Sequence, residues 1–379
     1  MFDRILSALV IAACLALAAC APVPVAERDL SGGLAALERE LERMERRGFA
    51  GQVVVARGDE VLLISGYGTL APGDDEPVTP DSVMPLASLT KPFTGSAILA
   101  LAADGKLNLD DPIGRHLPEL QSPWAEVPIE SLLTHSAGLP AEIINRAWEG
   151  HPQFEPVDRT TFLQRIGYFP PDHPPGGGFN YSNVGYSVLG AVVERASGRN
   201  WESWLRERLL IPAGVEDIGL LGPGWSPERR VRGRQGGEDW GSFFDQPGLD
   251  DGLGWQLRAS GDLHGTARGI SDWWRAVYDR RWLPGEQFRE WLKPRVREPD
   301  GTRYGYGLHF RETPFGPVIG HSGGNRIFSV DFSWFTDGDV MVYIASSQSR
   351  FQADLIRDDL HRRLLGHGRQ PPGSIRNRQ

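Results

Sequence analysis

Beyond its first twenty positions this 379-residue chain has no cysteine: Cys14 and Cys20 are the only two. The folded body therefore has neither a disulfide nor a thiolate-ligated metal to draw on, and a nucleophile there must be another residue type. Excess positive charge is lacking too, because 40 Lys+Arg against 49 Asp+Glu give a formal charge of −9. Phosphate binding rests on a basic patch, so nucleic acid is not an expected partner. The nine histidines show no His-x-x-x-His or other metal-ligand spacing, and there is no internal repeat. Lysine is scarce, since Lys91, Lys106 and Lys293 are the only three among the 40 basic residues. What is present suffices for a large core: 40% hydrophobic residues, with 12 Trp and 16 Phe. At about 150 residues per domain the length suggests two lobes.

Ile5 to Ala19 is an uncharged apolar run, shorter than the ~20 residues that span a bilayer as a helix, and it ends in small residues. It reads as a signal peptide over 1–19. Leu17-Ala18-Ala19-Cys20 resembles the lipobox of bacterial lipoproteins. That resemblance implies lipidation of Cys20, a tethered linker over 20–28 and a protein held at the bacterial envelope membrane facing the periplasm. Cleavage after Ala16-Leu17-Ala18, or an uncleaved anchor reaching Ala26, are the competing readings.

Leu30, Leu34, Leu37, Leu41 and Met44 recur at helical spacing and Gly48 stops them. Gly51 to Ala56 and Glu60 to Tyr67 then predict a hairpin across Arg57-Gly58-Asp59. A second hairpin is predicted where Phe328, Val330, Phe332 and Trp334 alternate with Ser329, Asp331 and Ser333, followed by Val340 to Ser346. A last helix carries Phe351, Leu355, Leu360 and Leu364, with a basic tail after it. The expected class is α+β. An antiparallel sheet from the two chain ends, flanked by helices, would form one discontinuous lobe (29–104 and 266–366). A mostly helical lobe (105–265) would pack beside it, and 367–379 would be solvated tail.

Lys91 stands out because arginine cannot be deprotonated in a protein, whereas a buried lysine can. It lies in Ser88-Leu89-Thr90-Lys91, ahead of a helical face of Phe93, Ala97, Ile98 and Leu101, with Pro92 suited to a first turn. Ser88 and Lys91 would then share one helix face, with an amine in reach of the hydroxyl proton and free backbone N–H groups nearby. A plain helix cap at Ser88 explains the same pattern. In Asn180-Tyr181-Ser182-Asn183, Tyr181 suits a general base if a neighbouring ammonium lowers its pKa, and Asn183 can bond both a lysine and a substrate amide; capping by Ser182 or Asn183 is the structural alternative. Gly320-His321-Ser322-Gly323-Gly324 fits G-x-S-x-G with Ser322 as nucleophile. The strand pattern that follows contradicts the strand-turn-helix which that motif requires. His321 at a strand edge, donating to a bound carbonyl or carboxylate, or a tight glycine turn, are the other readings. His135 is expected to brace a loop, Thr266 to cap a helix, and Trp255, Trp273, Trp274, Trp282 and Trp291 to fill core or wall a cleft.

Together, Ser88-x-x-Lys91, Tyr181-Ser182-Asn183 and His321-Ser322-Gly323, in this order, resemble the serine β-lactamase-related family of class C β-lactamases, D-alanyl-D-alanine carboxypeptidases, D-aminopeptidases and esterases. The resemblance extends to Pro85–Pro112, Leu133–Pro140, Phe179–Gly198, Ala259–Ala267 and the final hairpin. It implies an acylated Ser88, proton exchange through Lys91 and Tyr181, and Asn183 holding Lys91 and substrate. It further implies an oxyanion hole from the N–H groups of Ser88 and Gly324, and substrate contacts along His321, Ser322 and Gly323. The substrate would be a small ester, amide or D-amino-acid peptide, with no cofactor and no metal. A β-lactamase or penicillin-binding D,D-carboxypeptidase is the alternative within the class. A non-catalytic binding lipoprotein is the alternative outside it, and the intact Ser88, Lys91 and Tyr181 set argues against that. Class C β-lactamases carry a lysine where His321 stands, so a neutral histidine argues against efficient β-lactam hydrolysis.

Overall fold

The computed structural model describes residues 25, 28–120, 123–140, 156–220, 225–242, 245, 254–325 and 327–366. The proposed signal peptide, Cys20 and the basic tail lie outside them. The apolar stripe from Leu34 to Met44 forms helix α1 (Ser31–Glu45), and Gly48 follows it at φ +96°. Strands β1 (Gly51–Arg57) and β2 (Glu60–Tyr67) pair antiparallel around Gly58, as the sequence predicts. Helix α2 (Thr90–Ala103) is buried from Thr90 to Leu101, which suits a segment apolar on every side. Helix α3 (Asn183–Ser197) opens on a Ser182 side-chain cap and ends at left-handed Gly198. Helix α4 (Ala267–Tyr278) opens on the expected Thr266 cap. The later strands are β3 (Val296–Arg297), β4 (Arg303–Tyr304), β5 (His309–Thr313), β6 (Gly316–Gly324), β7 (Ser329–Phe335) and β8 (Val340–Ser346), and helix α5 (Ala353–Leu365) closes the described chain.

These strands form one eight-stranded antiparallel sheet in the order β2-β1-β8-β7-β6-β5-β4-β3, joining the two ends of the chain. On one face Val53, Val55, Val342 and Ile344 pack against Leu37 and Leu41 of α1 and Leu360 and Leu364 of α5. On the other, Val54, Ala56, Met341, Tyr343 and Ala345 meet the core of α2, α3 and α4, with Trp273, Trp274, Trp282 and Trp291 buried in it. Both faces are covered, so β1 and β8 read as continuous apolar runs instead of alternating ones.

Strand β7 alternates as expected, yet its polar side is buried as well: Asp331 and Ser333 are 0% exposed. α5 covers them. Asp331 accepts from Ser322 Oγ at 2.6 Å and Ser333 Oγ at 2.7 Å, and pairs with Arg357 of α5 at 3.1 Å. A buried carboxylate is tolerable here because two hydroxyls and a guanidinium donate to it. Two smaller groupings interrupt the helical middle of the chain. Met84–Pro85, His264–Gly265 and Ile218–Gly219 make a three-stranded sheet, and Gly233–Gln235 pairs with Glu238–Gly241.

Candidate active site

The turn Ala87–Leu89 is a 3₁₀ turn leading into α2, whose N-cap position is Leu89, without any side-chain cap. Ser88 is therefore not the helix cap. One turn on, Lys91 points back at it with Nζ 3.1 Å from Ser88 Oγ, and the same nitrogen lies 2.8 Å from Asn183 Oδ1 and 2.8 Å from the Ser260 carbonyl. Lys91 is 0% exposed. Asn183 comes from the first turn of α3, while Tyr181, just before it, lays its ring 4.9 Å from the Lys91 nitrogen. Helix and loop-to-helix junction thus meet, as the family resemblance implies.

The charge states differ from the expectation for Tyr181. Burial raises the Tyr181 phenol well above its ordinary pKa, and only a hydrogen bond with Ser88 opposes this. Burial also holds the Lys91 amine well below free lysine, against a smaller opposing effect of Asp262. Both shifts favour phenol beside amine over phenolate beside ammonium. Asn183 Oδ1 and a carbonyl oxygen can only accept, so a neutral Lys91 donates its two N–H groups there and turns its lone pair to Ser88.

β6 passes in front of Ser88. Pairing with β5 ends at His309 opposite Gly320, which leaves 321–324 as a segment bonded on one side to β7. His321, however, is 2% exposed. Its Nδ1 donates to the Ser322 carbonyl, so Nε2 is the acceptor for the Tyr304 hydroxyl at 3.2 Å. Burial keeps the ring neutral. Neither nitrogen has a proton to offer a substrate, which corrects the expectation that His321 donates to a bound carbonyl or carboxylate. Ser322 likewise gives its proton to Asp331 and sits within a strand followed by a hairpin, so the nucleophile-elbow reading has no support. Its hydroxyl is not a free substrate donor. Gly323 and Gly324, with Ser88, line an open cleft of about 900 Å³, walled by Trp240, Ile327, Gln235, Asn325, Gln352 and Asp354.

Two further residues complete the site. His135 braces as expected, and what it braces is the site: its Nδ1 accepts the Ser182 N–H at 3.1 Å and its ring centre lies 4.3 Å from that of Tyr181. Ser260 adds a backbone carbonyl, which no side-chain motif reveals. Ala87, His135 and Ala259 have φ of +46°, +56° and +59°. They adjoin Ser88, stack on Tyr181 and precede Ser260 respectively, so three of the strained non-glycine positions border this one site.

A serine beside a buried amine, with a carboxamide on the same nitrogen and a tyrosine ring packed next to it, defines a serine hydrolase. The family model described as Beta-lactamase matches residues 35–367, and the chain belongs to that family. Penicillin-binding protein 4* of Bacillus subtilis (strain 168) is 27% identical over 320 residues, 80% of this chain and 69% of that protein. Esterase EstB of Burkholderia gladioli is 34% identical over 198 residues, 49% of this chain and 50% of the esterase. The chain thus matches about half the length of that esterase. Among solved structures, the octameric penicillin-binding protein homologue from Pyrococcus abyssi gives a TM-score of 0.73 at 23% identity, over 88% of this chain and 77% of that one. The D-amino acid amidase from Ochrobactrum anthropi SV3 gives 0.72 at 22%, over 89% and 98%. The fold is that of β-lactamases and transpeptidases.

Proposed function

We propose that Ser88 is the nucleophile of an acyl-enzyme mechanism acting on a small ester, amide or D-amino-acid peptide. The observation that carries this reading is the placement of Lys91 Nζ, 3.1 Å from Ser88 Oγ and 2.8 Å from each of two obligate acceptors, so that the neutral amine donates to those two and keeps its lone pair for the serine proton. As Ser88 Oγ attacks the acyl carbon, its proton passes to Lys91 Nζ. The negative charge that forms on the acyl oxygen is met by the N–H groups of Ser88 and Gly324. The leaving group departs with a proton relayed from Lys91 through the Tyr181 hydroxyl. Water then attacks the ester on Ser88 and returns its proton along the same path, which regenerates Ser88. Tyr181 is a relay here, because burial disfavours its phenolate.

The cleft favours neutral acyl donors over β-lactams. Asp354 is the one charged residue among the described residues lining it, and His321 offers no cation for a substrate carboxylate. The likeness to EstB supports an ester, and the likeness to penicillin-binding protein 4* supports a peptide. Export and lipidation at Cys20, with the protein held at the envelope membrane and facing the periplasm, complete the proposal on the strength of the lipobox-like Leu17-Ala18-Ala19-Cys20.

Hydrolysis of p-nitrophenyl butyrate by wild type, Ser88→Ala and Ser322→Ala tests the mechanism. Activity lost in Ser88→Ala and retained in Ser322→Ala is expected; an active, folded Ser88→Ala protein overturns it. Cys20→Ser is expected to release the protein from membranes, and unchanged membrane association would remove the anchor.

A further inference from the structure

The loop 257–263 lies behind Lys91 and is held by it and by its helix. Thr94 Oγ donates to the Ala259 carbonyl at 2.6 Å, and Leu263 N–H donates to Thr90 Oγ at 3.2 Å, so residues flanking Lys91 on α2 grip both ends of the segment. Between these points stands Asp262, with a side chain 1% exposed. One carboxylate oxygen accepts the Ala259 N–H at 3.0 Å, and the other lies 3.4 Å from Arg258, itself 6% exposed. The Ala259 N–H bond spans the left-handed residue that turns the next carbonyl, Ser260, onto Lys91. A charge pair this deeply buried is costly to place, and replacing such pairs by apolar groups is often neutral or stabilising. Its position invites a role beyond folding.

Lys91 must become an ammonium when it takes the Ser88 proton. The titratable groups around it are few. Tyr181 and Tyr186 present rings at 4.9 and 5.5 Å, and burial holds both as phenols. His135 and His321 are held neutral by burial. Asp262 alone among these neighbours opposes the effect of burial on Lys91. Around Asp262 itself stand Arg258, which favours its charge, and Glu202, which disfavours it. Burial outweighs Arg258 and brings Asp262 to about 6, so it is predominantly a carboxylate at neutral pH.

We propose that Asp262 is a positioning residue for the Lys91 base: it fixes the loop that aims the Ser260 carbonyl at the amine, and its charge stabilises the ammonium formed during acylation and deacylation. The proposal rests on Lys91 being the proton acceptor. Asp262 does not touch substrate. Its effect is on where Lys91 titrates, and therefore on the acidic limb of kcat/KM, which reports the free enzyme's base.

Asp262→Asn keeps an acceptor for the Ala259 N–H and removes the charge. The acidic limb of kcat/KM for p-nitrophenyl butyrate is expected to move to lower pH by about one unit, in line with the effect of a nearby opposite charge. The plateau kcat falls by about tenfold because the amine is a weaker base. Should Arg258, left without its partner, unfold the single variant, the neutral pair Arg258→Gln/Asp262→Asn carries the same measurement and the same expected shift. A merely structural role lowers Tm and leaves the limb in place, and an unmoved limb in a folded variant overturns the proposal. Ser88→Ala run alongside separates the two failures. Inactive Ser88→Ala with an unmoved limb refutes the role of Asp262 alone, whereas active Ser88→Ala refutes the mechanism beneath it.

Discussion

Gly323 and Ser88 meet backbone to backbone: a Cβ at position 323 would stand 2.5 Å from the Ser88 nitrogen and 2.9 Å from the Leu86 carbonyl oxygen. Real Cβ atoms do not approach so closely, so the free edge of β6 reaches the nucleophile turn only because residue 323 is glycine. Gly323→Ala forces the strand and the turn apart, and a displacement of about 1 Å in such a site costs on the order of 10²-fold. We expect kcat/KM on p-nitrophenyl butyrate to fall by at least that much, with far-UV circular dichroism unchanged. Activity within threefold of wild type would mean that the two backbones do not cooperate in catalysis.

Lys91 is the second test. Lys91→Met preserves length and apolar stem and removes the atom that receives the proton. General-base catalysis contributes typically 10²–10⁴-fold, so kcat should drop by about 10³-fold. Part of the cost of leaving Asn183 Oδ1 and the Ser260 carbonyl unpartnered is offset by no longer burying an amine. A Tm within a few degrees of wild type, with full activity, would exclude Lys91 as the base.

How much of the site is legible in the sequence follows from the distance along the chain between its members. Ser88 and Lys91 are three residues apart, and the helical period with Pro92 in the first turn places them together. Asn183 was legible at a loop-to-helix junction, although its meeting with Lys91 depends on packing between α2 and α3. His321 was misread because strand periodicity shows an edge but not that Tyr304, brought back by β4, closes over it. Alternation marked β7 as a strand without showing that α5 covers its polar side, where Arg357 meets Asp331. Ser260 contributes a carbonyl, which carries no residue-type signal. Asp262 lies in the stretch Ala259–Ala267 that shares the family resemblance, but its relation to Lys91 is purely tertiary.

Asp111 provides a pH-dependent test of stability away from the site. It accepts from Arg115 at 2.7 Å, pairs with His116 at 3.0 Å and accepts the Asn108 N–H at 2.9 Å. Burial raises its pKa, and the Asn108 N–H, His116 and Arg115 together outweigh that and bring it down to about 2. A carboxylate lowered in the native state contributes stability above its unfolded value of about 4, and that contribution fades as pH falls toward 2. Asp111→Asn is therefore expected to lower Tm at pH 7 and to show a smaller gap from wild type at pH 3. A gap that stays constant between the two pH values would show that the charge of Asp111 contributes nothing.

His135 joins backbone strain, hydrogen bonding and proton balance at a single residue. Its Nδ1 accepts the Ser182 N–H, so the ring proton sits on Nε2, which is buried without a hydrogen-bond partner among the described residues. The ring backs Tyr181, and the φ of +56° suits asparagine far better than alanine. His135→Ala and His135→Asn both delete the ring behind the proton relay, so each should lower kcat by about 10- to 100-fold while KM changes less. His135→Asn should melt higher than His135→Ala because it tolerates the backbone. Burial, as the largest cause, holds His135 well below its usual pKa. The unfolded chain therefore takes up a proton below about pH 6.5 that the native state refuses, and wild type loses that stability as pH falls. Neither variant carries this liability, so the Tm gap to wild type should narrow between pH 7 and pH 5; a gap that widens would show that His135 is protonated in the folded protein.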